Sequence, residues 1–330
     1  MQSHRFCVAP MMDCTDRHCR YFHRQLTHRA LLYTEMLTTG TLLHGDVARH
    51  LEFDAGEYPV ALQVGGSEPD ALVHAAKLGE RFGYCEINLN CGCPSERVQR
   101  GAFGACLMAD PALVADCIRA MQDAVTIPVT VKHRIGVDQR EDYGFVRDFV
   151  GTLHRAGCRI FIVHARSAWL KGLSPKQNRE VPPLNYPYVH RLISDFPAAS
   201  FVLNGGIPTL EAAIGHLSTA DGVMLGRAAY HDPSLLAGVD SLLFEDAASA
   251  PPREMVVMRM SEYLRRQAQH GVTPRHVVRH MLGLFQGLRG ARQWRRVLSD
   301  ADALQRYGED VLLHALDVIS GRRDHWPAAA

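Results

Sequence analysis

Two thiols close one short segment of this chain, Asn88-Leu-Asn-Cys-Gly-Cys-Pro-Ser95. A Cys-x-Cys pair has three chemical uses: half of a metal site, a nucleophilic thiolate, or a thiol that delivers a proton at neutral pH. The other seven of the nine cysteines stand singly, so a second pair for a metal is lacking and no metal is expected. Residue type alone does not separate nucleophile from acid.

Further polar groups fall at the ends of apolar runs. Gln63 can donate and accept at the edge of a ring bearing carbonyls and N–H groups, as an isoalloxazine does. Lys132 is one of only four lysines against thirty-two arginines, and a cation there would stabilise negative charge on a reduced ring. His164 closes the next run and suits a phosphate or ring contact. Asn204-Gly205-Gly206-Ile207 and Gly226-Arg227 close the last two runs. Glycines there let backbone N–H groups approach a phosphate, and Arg227 adds a charge-assisted contact.

Such groups need a scaffold that gathers strand ends. Eight Val- and Ile-rich runs are read as strands: Phe6–Pro10, Leu31–Met36, Pro59–Val64, Glu86–Asn90, Val129–His133, Ile160–His164, Phe201–Asn204 and Gly222–Leu225. Helical patterns between them include Asp70–Phe82, Pro111–Ala124, Asp142–Ala156 and Thr209–Leu217. The pattern predicts an α/β fold, a (β/α)8 TIM barrel, over an open doubly wound sheet. Nearly every run ends in a polar or Gly-rich cluster, and a barrel collects those ends at one mouth.

Composition changes beyond Glu245. Ala-Ser-Ala-Pro-Pro (248–252) reads as a linker between a barrel domain over 1–247 and a small C-terminal helical-bundle domain over 253–330. Helical periodicity covers Glu254–His270, Thr273–Leu288, Gln293–Leu298 and Gly308–Ile319. Residues 1–250 carry 23 basic and 27 acidic side chains, a balance of −4, whereas 251–330 carry 13 and 8, a balance of +5. From Tyr263 to Ser299 there are eight arginines and no Asp or Glu, with Phe285 and Trp294 among them, a footprint suited to a polyanion. No secretory signal opens the chain and no run is apolar enough to span a bilayer. With scattered cysteines, this predicts a reduced, cytoplasmic protein without a membrane partner.

Several segments together resemble one known family, the tRNA-dihydrouridine synthases. They are Val8-Ala-Pro-Met-Met-Asp-Cys-Thr-Asp-Arg-His18, Glu86-Ile-Asn-Leu-Asn-Cys-Gly-Cys-Pro-Ser95, Gly104-Ala-Cys-Leu-Met108, Val131-Lys-His-Arg-Ile-Gly136, Val163-His-Ala-Arg166, Asn204-Gly-Gly-Ile207 and Gly222-Val-Met-Leu-Gly-Arg227. Leu173-Ser-Pro-Lys176, His280-Met-Leu-Gly-Leu-Phe-Gln-Gly287 and Gly290-Ala-Arg-Gln-Trp-Arg-Arg296 are similar to the bacterial A-type branch, which modifies positions 20 and 20a of the tRNA D-loop. The resemblance implies a tightly bound FMN, with Pro10, Met11 and Met12 lining it. Gln63, Lys132 and His164 would hold its ring and side chain; Asn204, Gly205, Gly206, Gly226 and Arg227 would take its phosphate. It implies Cys93 as proton donor, Asn90 beside the target base, and Arg97, Arg179, Arg292, Arg295 and Arg296 as tRNA contacts. Three positions depart from the family pattern: Cys14 for a tryptophan, Cys91 for a small aliphatic residue, and His133 for a threonine.

The implied reaction uses NADPH to reduce FMN, then passes hydride from flavin N5 to uracil C6 while Cys93 protonates C5. No obligate protein partner is implied. Rival readings are a flavin enzyme of free pyrimidines resembling dihydroorotate dehydrogenases, a non-redox sugar-phosphate isomerase or aldolase, and an RNA-binding module on an inactive barrel. The arginine-rich tail disfavours the first.

Overall fold

The structure is a computed structural model that describes residues 4–246 and 250–321. Its strands, in chain order, are β1 (Phe6–Val8), β2 (Leu31–Tyr33), β3 (Leu37–Thr38), β4 (Val60–Gly65), β5 (Glu86–Cys91), β6 (Val129–Arg134), β7 (Ile160–His164), β8 (Ser200–Asn204) and β9 (Gly222–Leu225). All pairings between them are parallel. β1, β2 and β4 through β9 close a ring, because β2 meets both β1 and β4 while β1 also meets β9. The expected eight-stranded barrel is present. The two-residue β3, which pairs with β4 at Leu37 and Val64, is an addition that periodicity is too short to reveal.

Alternation along each strand sorts side chains between two cores. Cys7, Ala9, Leu31, Tyr33, Ala61, Ile162, Val202 and Met224 form one apolar cluster. Counting by twos from these places Gln63, His164 and Asn204 on the same inward face. The intervening residues meet the helices. A Cβ added at Gly79, in the helix Pro69–Arg81, would fall 2.5 Å from Ile87 Cδ1 and 2.8 Å from Leu62 Cδ2, so a bare backbone is what lets that helix lie against β4 and β5. Helices Pro111–Ala124, Tyr143–Arg155 and Leu210–His216 start where side chains satisfy orphan amides: Asp110 accepts from Leu113 N, Asp142 from Phe145 N and Thr209 from Ala212 N. Pro69–Arg81 has no such cap; proline at its start suffices.

The described chain divides into two compact units, 4–15 with 30–226, and 16–29 with 227–246 and 250–321. The second is helical. It contains Arg17–Arg24, Arg227–His231, Val239–Leu243, Arg253–Ala268, Pro274–Val278, Ala291–Ser299, Ala301–Tyr307 and Val311–Ser320. Asp240 binds His28 N and Arg29 N, and Asp16 holds Arg279 at 2.6 Å and His280 at 3.0 Å, tying 16–29 to the later helices. The helix expected over Thr273–Leu288 stops at Val278. Val277, Val278, His280, Met281, Leu284 and Phe285 are all buried. The chain turns repeatedly instead, through i→i−3 bonds such as Leu284 N to Met281 O and Leu288 N to Phe285 O. Trp294 Nε1 takes the Met281 carbonyl at 2.8 Å. Ala301–Tyr307 was not anticipated; Asp300 caps it through Ala303 N.

Buried histidines set an acid limit on this fold. Burial lowers His18 to about 4 and His23 to about 3 in the helical unit, and lowers His133 to about 4 in the barrel unit. Their folded values lie below the unfolded value of roughly 6.5, so the unfolded chain binds more protons below that pH. Stability should be fully present above pH 6.5 and fall toward pH 4, by up to about 1.4 kcal/mol per pH unit for each histidine. Thermal melts between pH 7.5 and 4.5 measure this, and His133→Leu should flatten the slope.

Candidate active site

The mouth of the barrel is built from inward positions at the C-terminal strand ends. On β5 the sequence Glu86-Ile-Asn-Leu-Asn places Glu86, Asn88 and Asn90 on one side, and all three are buried. Asn90 Nδ2 donates to Gln63 Oε1 at 2.8 Å, and Gln63 Nε2 donates to Asn88 Oδ1 at 2.7 Å. Asn90 Oδ1 then accepts from Gly92 N (3.1 Å) and Cys93 N (3.0 Å), so the side chain of the strand's last inward residue fixes the thiol-bearing loop.

That loop is held from other directions too. Ala105 N donates to the Cys93 carbonyl at 3.0 Å, and Gly104, at φ +78°, passes so close that a Cβ there would lie 2.7 Å from the same oxygen. Arg134 Nε donates to Gly92 O at 3.2 Å. Gln99 Nε2 bonds Pro94 O and Leu170 O. Cys93 is partly exposed, with Sγ 3.5 Å from Ser95 Oγ. Cys91, one step past Asn90, turns the other way. It is fully buried near Cys106, Cys117 and Cys158, and burial pushes its thiol well up. The two thiols therefore serve different surroundings, and the Cys91 departure leaves Cys93 chemistry alone.

Cations crowd the mouth. Lys132 Nζ donates to Asn204 Oδ1 at 3.0 Å, while Asn204 Nδ2 donates to Met224 O at 2.7 Å. Burial, with Arg134 second, lowers Lys132 to about 7. Burial first, then Arg134 and Lys132, pushes His164 well below the imidazole range and keeps it neutral. Neither Lys132 nor Arg134 has a carboxylate partner among the described residues. A half-buried ammonium without a counter-charge is costly unless an anion joins it. Gly205 and Gly206 follow at φ +106° and +70°, a pair of left-handed residues that a side chain would strain. Among the described residues, the N–H groups of Gly205, Gly206 and Ile207 donate to no protein acceptor. A Cβ at Gly226 would lie 3.4 Å from Met11 Sδ, bringing Met11 beside the last strand end. Pro10 and Met11 are half-buried and Met12 is 56 % exposed, so Met12 is the least enclosed of the three.

Sequence reading missed the brace behind this mouth. Arg134, two residues after Lys132 and on the same face, also donates to Ser167 O (3.2 Å) and Asn178 O (2.9 Å). Asn178 in turn binds Trp169 N and Trp169 O. Together they mount the turn Gln177–Arg179, which carries Arg179 exposed. The Lys-x-Arg spacing was the available signal. Arg97 lies on Glu96–Arg100, and its side chain is outside the described residues.

In the helical unit, Ala291–Ser299 buries Trp294, Val297 and Leu298 and exposes Arg292, Arg295 and Arg296. Phe285 packs on Trp294 at 4.8 Å, so these aromatics are core and not a stacking surface for bases. Arg265 pairs with Asp310 and Arg279 with Asp16. Arg275, Arg289, Arg292, Arg295 and Arg296 are exposed and have no carboxylate partner among the described residues. Arg227 is likewise exposed, at the start of Arg227–His231. No helix of the described residues is long and apolar enough to cross a membrane.

The opposed thiols give a direct test. Iodoacetamide should alkylate Cys93 in the native protein at neutral pH and reach Cys91 only on unfolding, a difference read by fragment mass spectrometry of the peptide containing both.

The sequence profile of the family described as Dihydrouridine synthase (Dus) matches residues 7–320. A tRNA-dihydrouridine(20/20a) synthase of Pseudomonas aeruginosa is 56 % identical over 325 residues, covering 97 % of this chain and 96 % of its own. The protein of that name from Escherichia coli K12 is 54 % identical over 322 residues, covering 97 % and 93 %, and that from Pasteurella multocida is 54 % identical over 316, covering 96 % of each. Matched from β1 to its last described helix, this chain belongs to the dihydrouridine synthase family.

Proposed function

We propose that this protein reduces uridine to 5,6-dihydrouridine at positions 20 and 20a of tRNA in the cytoplasm, with FMN bound at the barrel mouth and NADPH as reductant. The observation that carries the reading is Cys93, a partly exposed thiol on a loop clamped by Asn90 at a mouth whose ammonium lacks a counter-anion. The near full-length likeness to relatives named for this activity supports the substrate and the two positions.

The mouth suits FMN. Gly205, Gly206 and Ile207 offer free N–H groups to a phosphate; Asn204 precedes them, and Gly226 and Arg227 follow the next strand, β9. Lys132, neutral His164 and Gln63 would hold the ring and its side chain, and Pro10, Met11 and Met12 would line it. When bound, the flavin supplies the hydride that adds to C6 of the uracil. Addition there moves charge to the C4 oxygen of the base, and the Cys93 Sγ–H delivers the proton that C5 then needs. Asn90 holds the backbone of that acid in place and stands beside the base. The base must leave the folded RNA to reach a barrel mouth. The exposed arginines 292, 295 and 296, with Arg97 and Arg179, would bind phosphates and orient the tRNA. A barrel domain for FMN and a helical domain for tRNA follow. Arg275, Arg289, Arg292, Arg295 and Arg296, exposed and without carboxylate partners among the described residues, favour a polyanion over a free pyrimidine.

Two experiments test this. In a host lacking the gene, the two-dalton mass gain at positions 20 and 20a should vanish; the wild-type gene should restore it and Cys93→Ala should not. Dihydrouridine persisting at both positions without the gene, in a host with no second enzyme for them, rejects the substrate. Lys132→Met should weaken FMN retention by at least about tenfold, as for one lost charge-assisted contact, read from the bound flavin absorbance. The flavin-free variant should melt higher than flavin-free wild type, because the lysine's lowered folded value makes its charge a cost at every pH below roughly 10.

A further inference from the structure

Beneath the mouth, at the opposite end of β5, Glu86 is a buried carboxylate that takes no part in the chemistry above. Its Oε1 accepts from Tyr33 OH at 2.7 Å and Thr130 Oγ1 at 2.6 Å, and its Oε2 meets His4 Nε2 at 2.5 Å. Burial, then the Glu86 charge, pushes the Tyr33 phenol well up, so Tyr33 keeps its proton and donates. A carboxylate only accepts. Thr130 must therefore spend its one hydrogen on Glu86 and can offer Asn88 only a lone pair, which Asn88 Nδ2 takes at 2.8 Å. From there each side chain has one orientation left. Asn88 turns its oxygen to Gln63 Nε2, Gln63 its oxygen to Asn90 Nδ2, and Asn90 its oxygen to the N–H groups of Gly92 and Cys93. Every donor in the series points the same way, from the Cys93 amide down to the Glu86 carboxylate. Bonds arranged in one sense polarise one another. β5 separates the two ends by about 13 Å.

We propose that Glu86 is a positioning residue for Cys93: its charge sets the direction of the bond series Thr130–Asn88–Gln63–Asn90, and so selects the Asn90 orientation that clamps the thiol loop. Without the charge, a group at 86 that can donate lets Thr130 accept from it and donate to Asn88. Each amide then reverses, and Asn90 turns its NH2 toward two N–H groups that need an acceptor. Gln63 is turned by the same reversal, so the donors offered to a ring at the mouth change with it. The inference rests on Cys93 as the acid, yet its primary readout needs neither tRNA nor turnover.

The test uses the flavin-loaded protein. Glu86→Gln keeps the size of the side chain but allows the reversal, and Thr130→Val breaks the series at its first link with an apolar isostere. Tyr33→Phe removes a bond of similar length to the same carboxylate but lies outside the series. Hydrogen exchange at the Gly92 and Cys93 amides should rise about tenfold in the first two, the loss of one to two hydrogen bonds. The alkylation rate of Cys93 should change with it. Both should stay at the wild-type value in Tyr33→Phe. With tRNA, kcat should fall about tenfold while KM holds, and Glu86→Asp, which keeps the charge, should recover part of the loss. Unchanged exchange in Thr130→Val, or equal changes in Tyr33→Phe, would overturn the proposal and leave Glu86 a general stabiliser of the barrel floor. Should Glu86→Gln fail to fold, Thr130→Val against Tyr33→Phe decides alone.

Discussion

A charged carboxylate inside a β-barrel must be surrounded by donors, and in this protein that requirement organises the interior from floor to mouth. Glu86 is served by a phenol, a hydroxyl and an imidazole drawn from three different parts of the chain. Most barrel interiors of this size are packed with branched apolar side chains. Here one side of the interior is apolar, from Cys7 to Met224, and the other is a run of amides on β4 and β5. Amides whose partners are fixed cannot rotate freely. The site therefore inherits a rigid backbone at Cys93 without any covalent constraint.

Electrostatics at the mouth run the opposite way to the floor. Lys132, Arg134 and neutral His164 converge where, among the described residues, no acidic side chain pairs with either cation. Burial makes the ammonium uncomfortable, and Asn204 gives it only a neutral acceptor. An anionic ligand removes that penalty, so the same feature that weakens the free protein favours binding. Arg134 differs: three backbone carbonyls satisfy its guanidinium, and it serves as a strut between the thiol loop, β7's exit and the Arg179 turn. Two cations two residues apart on one strand face thus have separate uses, one electrostatic and one architectural.

The helical unit solves a different problem, presenting positive charge while keeping a core. Its arginine-rich stretch is amphipathic over Ala291–Ser299, where Trp294 anchors the buried side and donates to the Met281 carbonyl of the segment before it. Arg265 and Arg279 are spent on internal ion pairs. What faces solvent is a smaller set than composition suggests, and among the described residues Arg275, Arg289, Arg292, Arg295 and Arg296 have no carboxylate partner.

The sequence by itself determined the barrel, since eight apolar runs of strand length separated by capped helices leave few other arrangements, and it located the thiol, lysine, histidine and glycine positions because strand ends in a barrel share one mouth. It could not determine which way Cys91 faces until the register fixed Asn90 inward, nor that Phe285 and Trp294 are core. Nor did it show that the helix expected over Thr273–Leu288 would stop at Val278. Only the tertiary structure decided the links among Glu86, Thr130, Asn88, Gln63 and Asn90, and the struts from Arg134. These join residues up to 44 positions apart, and local patterns of period two or 3.6 carry no information about partners brought together by closing a ring.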